Sequence, residues 1–253
     1  MSPIITIHAS HRNVGKSFLT ANLAVLLAKQ GHRVSIIELD FISELPMLFG
    51  LDPVDLAQQW TALQQPGNIL PEAAWLSVGE GAIALLAGGG KEVHPVSGFS
   101  LVEQLQSQPQ ANRLGEDLTR LIPHLNADYI LLETFPGFNE EGFLAFALAD
   151  VLVFVLNLNA QDYQDTAVFI DLAQRLQVDQ IALIANQVLP EVNAEQLVAS
   201  LINTYNMPVW GALTAVKPVE HSAYPNLLCQ AHPNHPFSQG LQQITAKLLE
   251  LRP

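Results

Sequence analysis

The chain has 253 residues, 49% hydrophobic and 14% charged, which excludes a disordered polypeptide and provides for a substantial buried core. Acidic side chains outnumber basic ones 24 to 11, for a formal charge of −13, and this balance opposes attraction to nucleic acid or an anionic membrane. The lone cysteine, Cys229, excludes an internal disulfide and fits a reducing compartment. The first residues lack the basic region and apolar core of a signal peptide, and the longest apolar runs, such as ADVLVFVLNLNA (149–160), are too short to span a bilayer. A cytoplasmic location is expected.

Short β-branched and aliphatic runs bounded by turns predict strands, and apolar spacings of three and four predict helices. PIITIHA (3–9) predicts a buried strand, followed by a loop and an amphipathic helix over 16–30 with Leu19, Leu23, Leu26 and Leu27 on one face. Gly31 is a plausible cap before a second strand, RVSIIEL (33–39). Short helices follow over 44–50 and 53–64, then a strand ending in a glycine-rich turn in GAIALLAGGG (81–90), then helices over 100–107 and 113–124. The second half alternates more clearly, with strands at 127–134, 151–157, 180–186 and 207–213 and helices near 139–148, 161–176, 192–204 and 238–251. This alternation predicts an α/β fold, a doubly wound, mostly parallel sheet with helices on both faces. With no repeat, low-complexity tract or linker, a single domain over 1–253 is expected.

The loop SHRNVGKS (10–17) lies between the first strand and the first helix, the context a phosphate-binding loop requires, although Ser10 stands where the opening glycine belongs. Gly15 lets the backbone approach phosphate oxygens, and the helix N-terminus favours an anion there. Lys16 suits β- and γ-phosphates, and the Ser17 hydroxyl suits Mg²⁺. The bland alternative is a helix start capped by Ser17. The second strand ends IIELD, with Glu38 and Asp40 two apart and so directed to one side, toward the loop's metal and terminal phosphate. ILLETFPGF (130–138) likewise delivers Glu133 and then breaks at Pro136-Gly137, placing a carboxylate where magnesium water is held. Each of these carboxylates also has a plainer reading as a solvated strand end.

SHRNVGKS followed by IIELD, ILLETFPG and LIANQ resembles the MinD/ParA group of deviant-Walker P-loop ATPases through almost the whole chain. The region around GAIALLAGGG is also similar to the pilus-associated CpaE/TadZ branch. The resemblance implies ATP/ADP and Mg²⁺ as cofactors, an ATP-bound face-to-face homodimer, slow hydrolysis, and the positioning of a protein partner. It makes His11, Arg12, Asn13, Val14, Gly15, Lys16, Ser17 and Phe18 the nucleotide-binding loop and first helical turn. Lys16 and Asp40 become the catalytic pair, with Asp40 orienting the attacking water. Ser17, Glu38 and Glu133 surround the metal, and Asn186 reads the adenine edge, unless it is only a turn residue.

Departures from the pattern are concentrated in the loop. The group's signature lysine, which reaches the partner's phosphates, falls at His11, and the two following glycines are Arg12 and Asn13. Imidazole is shorter than a lysine chain and mostly uncharged at pH 7. Arg12 either supplies the missing cation or points into solvent. Asn13 tolerates the left-handed region better than most residues. Glu38 and Glu133 replace aspartates, each adding a methylene. The expectation is nucleotide binding with slow turnover, the alternative a scaffold that keeps fold and partner surface without turnover. A ligase or kinase like dethiobiotin synthetase would need more cations. CQAHPNH (229–235) superficially spaces metal ligands, but a polar loop before the last helix is the better reading. The last helix carries only Lys247 and Arg252 as basic residues, which favours a core-covering role over membrane binding.

Overall fold

The computed structural model describes residues 2–40, 44–52, 55–56, 59, 63, 70–87, 109–217 and 227–250. Its strands are β1 (Ile4–His8), β2 (Arg33–Glu38), β3 (Trp75–Val78), β4 (Gly81–Ala87), β5 (Tyr129–Glu133), β6 (Val151–Leu156), β7 (Gln180–Val188) and β8 (Val209–Thr214). They form one sheet in the order β3-β4-β2-β5-β1-β6-β7-β8, parallel throughout except for the antiparallel β3–β4 pair. The strands YILLE and VLVFVL are buried at every position, as in a sheet covered on both faces.

The helices are α1 (Lys16–Lys29), α2 (Leu45–Leu48), α3 (Pro109–Leu121), α4 (Glu140–Leu148), α5 (Ala160–Arg175), α6 (Ala194–Tyr205), α7 (Leu228–Ala231) and α8 (Pro236–Glu250). Asparagine starts three of them: Asn139, Asn159 and Asn193 accept from the backbone N–H of Gly142, Asp162 and Gln196 at 2.7, 2.9 and 2.9 Å. The predicted helix over 113–124 divides into α3 and a 3₁₀ turn, Ile122–His124. The predicted helix over 100–107, most of that over 53–64, and the glycine turn 88–90 lie outside the described residues.

The expectation for α1 needs correction. It is not amphipathic: every residue from Phe18 to Ala28 is buried. The sheet covers one side, while α2, α7 and α8 cover the rest through Leu45, Leu228, Phe237, Leu241 and Ile244. Even its polar side chains are internally satisfied, because Asn22 donates to Phe18 O and accepts from Cys229 N. A helix hydrophobic all round belongs in the core.

β1 lies between β5 and β6; β2 to β5 all lie on one side of it and β6, β7 and β8 on the other, so the strand order reverses beside β1. The crevice at the C-terminal end of β1 is therefore the topological switch point, where open α/β sheets bind ligands. No helix among the described residues is long and apolar enough to cross a membrane.

Candidate functional site

The loop from Ala9 to Gly15 leaves the C-terminal end of β1 and turns directly into α1. Two of its residues are left-handed, Asn13 at φ 63° and Gly15 at φ 88°, which is why Asn and Gly stand there. Arg12, where the resembled loop has glycine, adopts no positive φ. Gly15 is the N-cap of α1, no side chain caps it, and the first turn holds no acidic residue. The positive end of the helix dipole therefore faces the loop, as anion binding requires.

Side chains from neighbouring strand ends brace this loop. Ser10 Oγ donates to Asp162 Oδ1 at 2.6 Å, and His11 Nδ1 lies 2.8 Å from the same oxygen. His11 Nε2 faces Asp165 Oδ2 at 3.5 Å. Asp162 Oδ2 accepts from Asn157 N at 3.0 Å and Asn159 Nδ2 at 2.8 Å. Burial alone would raise the Asp162 carboxyl, but the bonds from Ser10, His11, Asn157 and Asn159 outweigh it and hold the group below its ordinary value. From β7, Asn186 Nδ2 donates to Val14 O at 2.8 Å and Gln187 Nε2 donates to Asn13 O at 2.8 Å. Asn157 Nδ2 holds Gln187 Oε1 at 3.0 Å. Gly137, left-handed at φ 81°, donates from its N–H to Ala9 O at 3.0 Å.

Glu38 and Glu133 are register partners on β2 and β5, and both are buried. Glu133 Oε1 accepts from Ser17 Oγ at 2.6 Å and lies 3.8 Å from Lys16 Nζ, itself buried. Burial pushes the Glu133 carboxyl up, against the opposing pull of Lys16 and the Ser17 hydroxyl, while the Asp40 charge pushes it further up. Glu133 Oε2 is buried with no hydrogen-bond partner among the described residues. Two adjacent buried carboxylates, an orphaned oxygen and a nearby hydroxyl fit a divalent cation, since hard oxygen donors are what Mg²⁺ takes. Asp40 lies past the end of β2, where Arg12 Nη2 donates to its Oδ1 at 3.2 Å and the guanidinium sits 4.7 Å from the centre of the Phe135 ring. Arg12 is therefore not free in solvent; it is tied to Asp40.

Beneath the loop, His8 is fully buried against Phe146 and Phe169, with Nδ1 2.7 Å from Thr134 Oγ1. Burial, reinforced by the charge of Lys16, holds the imidazole well below its usual range, so it is neutral.

The fold thus gathers Lys16, Ser17, Glu38, Asp40 and Glu133 at the ends of β1, β2 and β5, and brings Asn186 onto the loop itself. The side chains of Val14 and Phe18 belong to the hydrophobic core around α1, and the Phe18 ring packs 5.2 Å from that of Phe237. Sequence reasoning missed Asp162, Asn157 and Gln187. The spacing Asn159–Asp162 was legible only as a helix cap, and nothing local marks Gln187 as a loop contact. Cys229 is buried in α7 with its thiol pushed up to about 11 by burial, and its carbonyl accepts from Lys29 Nζ at the far end of α1. By helical rise that end is about 20 Å from the loop. Among the described residues no three His, Cys, Asp or Glu side chains are grouped to hold a metal.

The sequence matches the family model for the CobQ/CobB/MinD/ParA nucleotide binding domain over residues 5–224. An uncharacterized ATP-binding protein of Methanocaldococcus jannaschii is 26% identical over 253 residues, covering 98% of this chain and 88% of that protein. Among solved structures, the MinD cell division protein of Aquifex aeolicus superposes with a TM-score of 0.72 at 19% identity, covering 100% of this chain and 98% of the other. MinD of Pyrococcus horikoshii complexed with Mg-ADP superposes at 0.71 and 17% identity, covering 99% and 97%. At these identities the likeness to the solved structures establishes the fold.

Proposed function

We propose that this chain, which belongs to the CobQ/CobB/MinD/ParA nucleotide-binding domain family, is an ATP-dependent switch that recruits or positions a protein partner. The observation that carries this reading is the convergence of Lys16, Ser17 and Glu133 at an uncapped helix end on the switch point of the sheet. Lys16 and the amides of Asn13 to Ser17 bind the β- and γ-phosphates. Ser17 would hold Mg²⁺ directly, with Glu38 and Glu133 through water, and the ion supplies charge neutralisation on the phosphate oxygens. Asp40 orients the attacking water. Asn186, already fixed to the loop, presents its remaining amide oxygen toward the base. The relative described as ATP-binding and the MinD structure with Mg-ADP support the choice of nucleotide. An ATP-bound face-to-face homodimer is part of this reading, as is a cytoplasmic site of action.

His11 favours a second reading, a scaffold without turnover. It stands where the trans-acting lysine would be, yet it is anchored in cis to Asp162 and Asp165. A missing trans cation of the arginine-finger kind costs roughly 10³-fold or more in rate. Thermal denaturation with Mg-ATP, Mg-ADP and no nucleotide tests occupancy: at 100 times Kd the gain is about 2.7 kcal/mol, and Lys16→Ala should abolish it. Phosphate release then separates the readings, since rates equal in wild type and Lys16→Ala leave only the scaffold. Light scattering with a non-hydrolysable triphosphate tests the dimer, and a persistent monomer would remove it from the account.

A further inference from the structure

Arg12 is the loop's departure with the most chemistry attached. It is permanently charged, sits four residues before Lys16, and replaces a residue type that has no side chain. A single guanidinium nitrogen contacts Asp40, at 3.2 Å, whereas guanidinium matched to a carboxylate usually binds through two. The two partners differ in exposure, Arg12 at 38% and Asp40 at 5%, so the arginine lies on the solvent side of the pair. The Phe135 ring, 4.7 Å away, gives the planar cation a second low-cost seat. The pair is also within electrostatic range of the phosphate-facing cluster, because the charge of Asp40 acts on Glu133, which itself holds Ser17 and lies beside Lys16.

We propose that Arg12 is a cis-acting latch that reads the terminal phosphate. It rests on Asp40 when the site is empty or holds a diphosphate, and it transfers to the γ-phosphate of a triphosphate, releasing Asp40 toward water. This rests on the nucleotide-binding reading above and adds to it the device by which tri- and diphosphate states differ. The physical basis is a competition. A terminal phosphate offers a bidentate, more highly charged acceptor than the one carboxylate oxygen Arg12 now uses. A diphosphate presents no group in that position. Arg12 is a positioning residue for Asp40 in one state and a phosphate ligand in the other.

Calorimetric titration with Mg-AMPPNP and Mg-ADP, on wild type, Arg12→Ala, Arg12→Lys and Asp40→Asn, tests this. Arg12→Ala should weaken AMPPNP by about 10- to 100-fold, the loss expected for charge-assisted hydrogen bonds, while ADP changes by no more than about 3-fold. Arg12→Lys, a point charge without the fork, should recover part of the AMPPNP affinity. Asp40→Asn, nearly isosteric, removes the competing carboxylate and should tighten AMPPNP by about 3- to 10-fold. A purely structural brace would move both nucleotides together. Equal losses for AMPPNP and ADP in Arg12→Ala, or weaker AMPPNP binding in Asp40→Asn, overturn the latch and leave nucleotide binding standing. Wild-type protein that binds neither nucleotide overturns both.

Discussion

Gly15 and Asn186 are predicted to be coupled, and the size of the coupling follows from their geometry. Gly15 is left-handed, and a Cβ built there falls inside van der Waals contact of Asn186 Nδ2, the atom that donates to Val14 O at 2.8 Å. Alanine at position 15 therefore carries two costs. A left-handed L-residue costs about 1–2 kcal/mol. Displacing Asn186 leaves a buried Val14 carbonyl without its donor, at about 1–3 kcal/mol. Gly15→Ala should lose about 2–5 kcal/mol in nucleotide-free protein, and Asn186→Ala alone about 1–3 kcal/mol. The double variant forfeits the hydrogen bond only once, so it should be no worse than Gly15→Ala, which is a coupling energy of about 1–3 kcal/mol. Urea denaturation followed by circular dichroism measures all four corners of the cycle. Losses that add to within about 0.5 kcal/mol would refute the claim that Asn186 is the group Gly15 makes room for.

His8 sets an acid limit. Its folded value is depressed, so its contribution is fully present above the ordinary value of 6.5 and is lost as pH falls below it, at about 1.4 kcal/mol per pH unit. His8→Leu should flatten unfolding free energy below pH 6.5, and an unchanged slope would contradict its burial as a neutral ring. Glu133 has the opposite sign, because its folded value is raised: its contribution is complete below 4.5 and is lost as pH rises through the folded value. Glu133→Gln should remove that decline in nucleotide-free protein, and each variant is measured in an otherwise wild-type chain. Asp162→Ala removes the acceptor of Ser10, His11, Asn157 and Asn159 and should cost about 2–4 kcal/mol, with Asp162→Asn losing less; a change below about 0.5 kcal/mol would show that the brace does not hold the loop.

Where a side chain's position depends on its own strand or the loop beside it, the sequence was enough. The parallel sheet follows from apolar runs such as VLVFVL, the placement of Lys16 and Ser17 from a loop between strand and helix, and that of Glu133 from the end of its own strand. The covering of α1 was not legible, because Leu19, Leu23, Leu26 and Leu27 describe one face, and the small residues opposite are buried only once α8 and α7 pack on them. β3 was missed for a related reason. WLSV is four residues long, and its pairing with β4 depends on the turn at Gly79, left-handed at φ 62°. The brace formed by Asp162, Asn157, Asn186 and Gln187 joins residues more than 140 positions from the loop and leaves no local periodicity. Arg12 shows the same limit. Its charge was evident, but only the packed ends of β2 and β5 place Asp40 and Phe135 beside it.

The central claim, that the loop after β1 cradles a triphosphate, is tested most directly by amide hydrogen exchange across residues 10–18 with and without Mg-ATP. The account predicts slowed exchange at the amides of Asn13 to Ser17 on ATP addition, and no such slowing in Lys16→Ala. ATP that binds and leaves those amides unchanged, or protects only residues elsewhere in the chain, would contradict it.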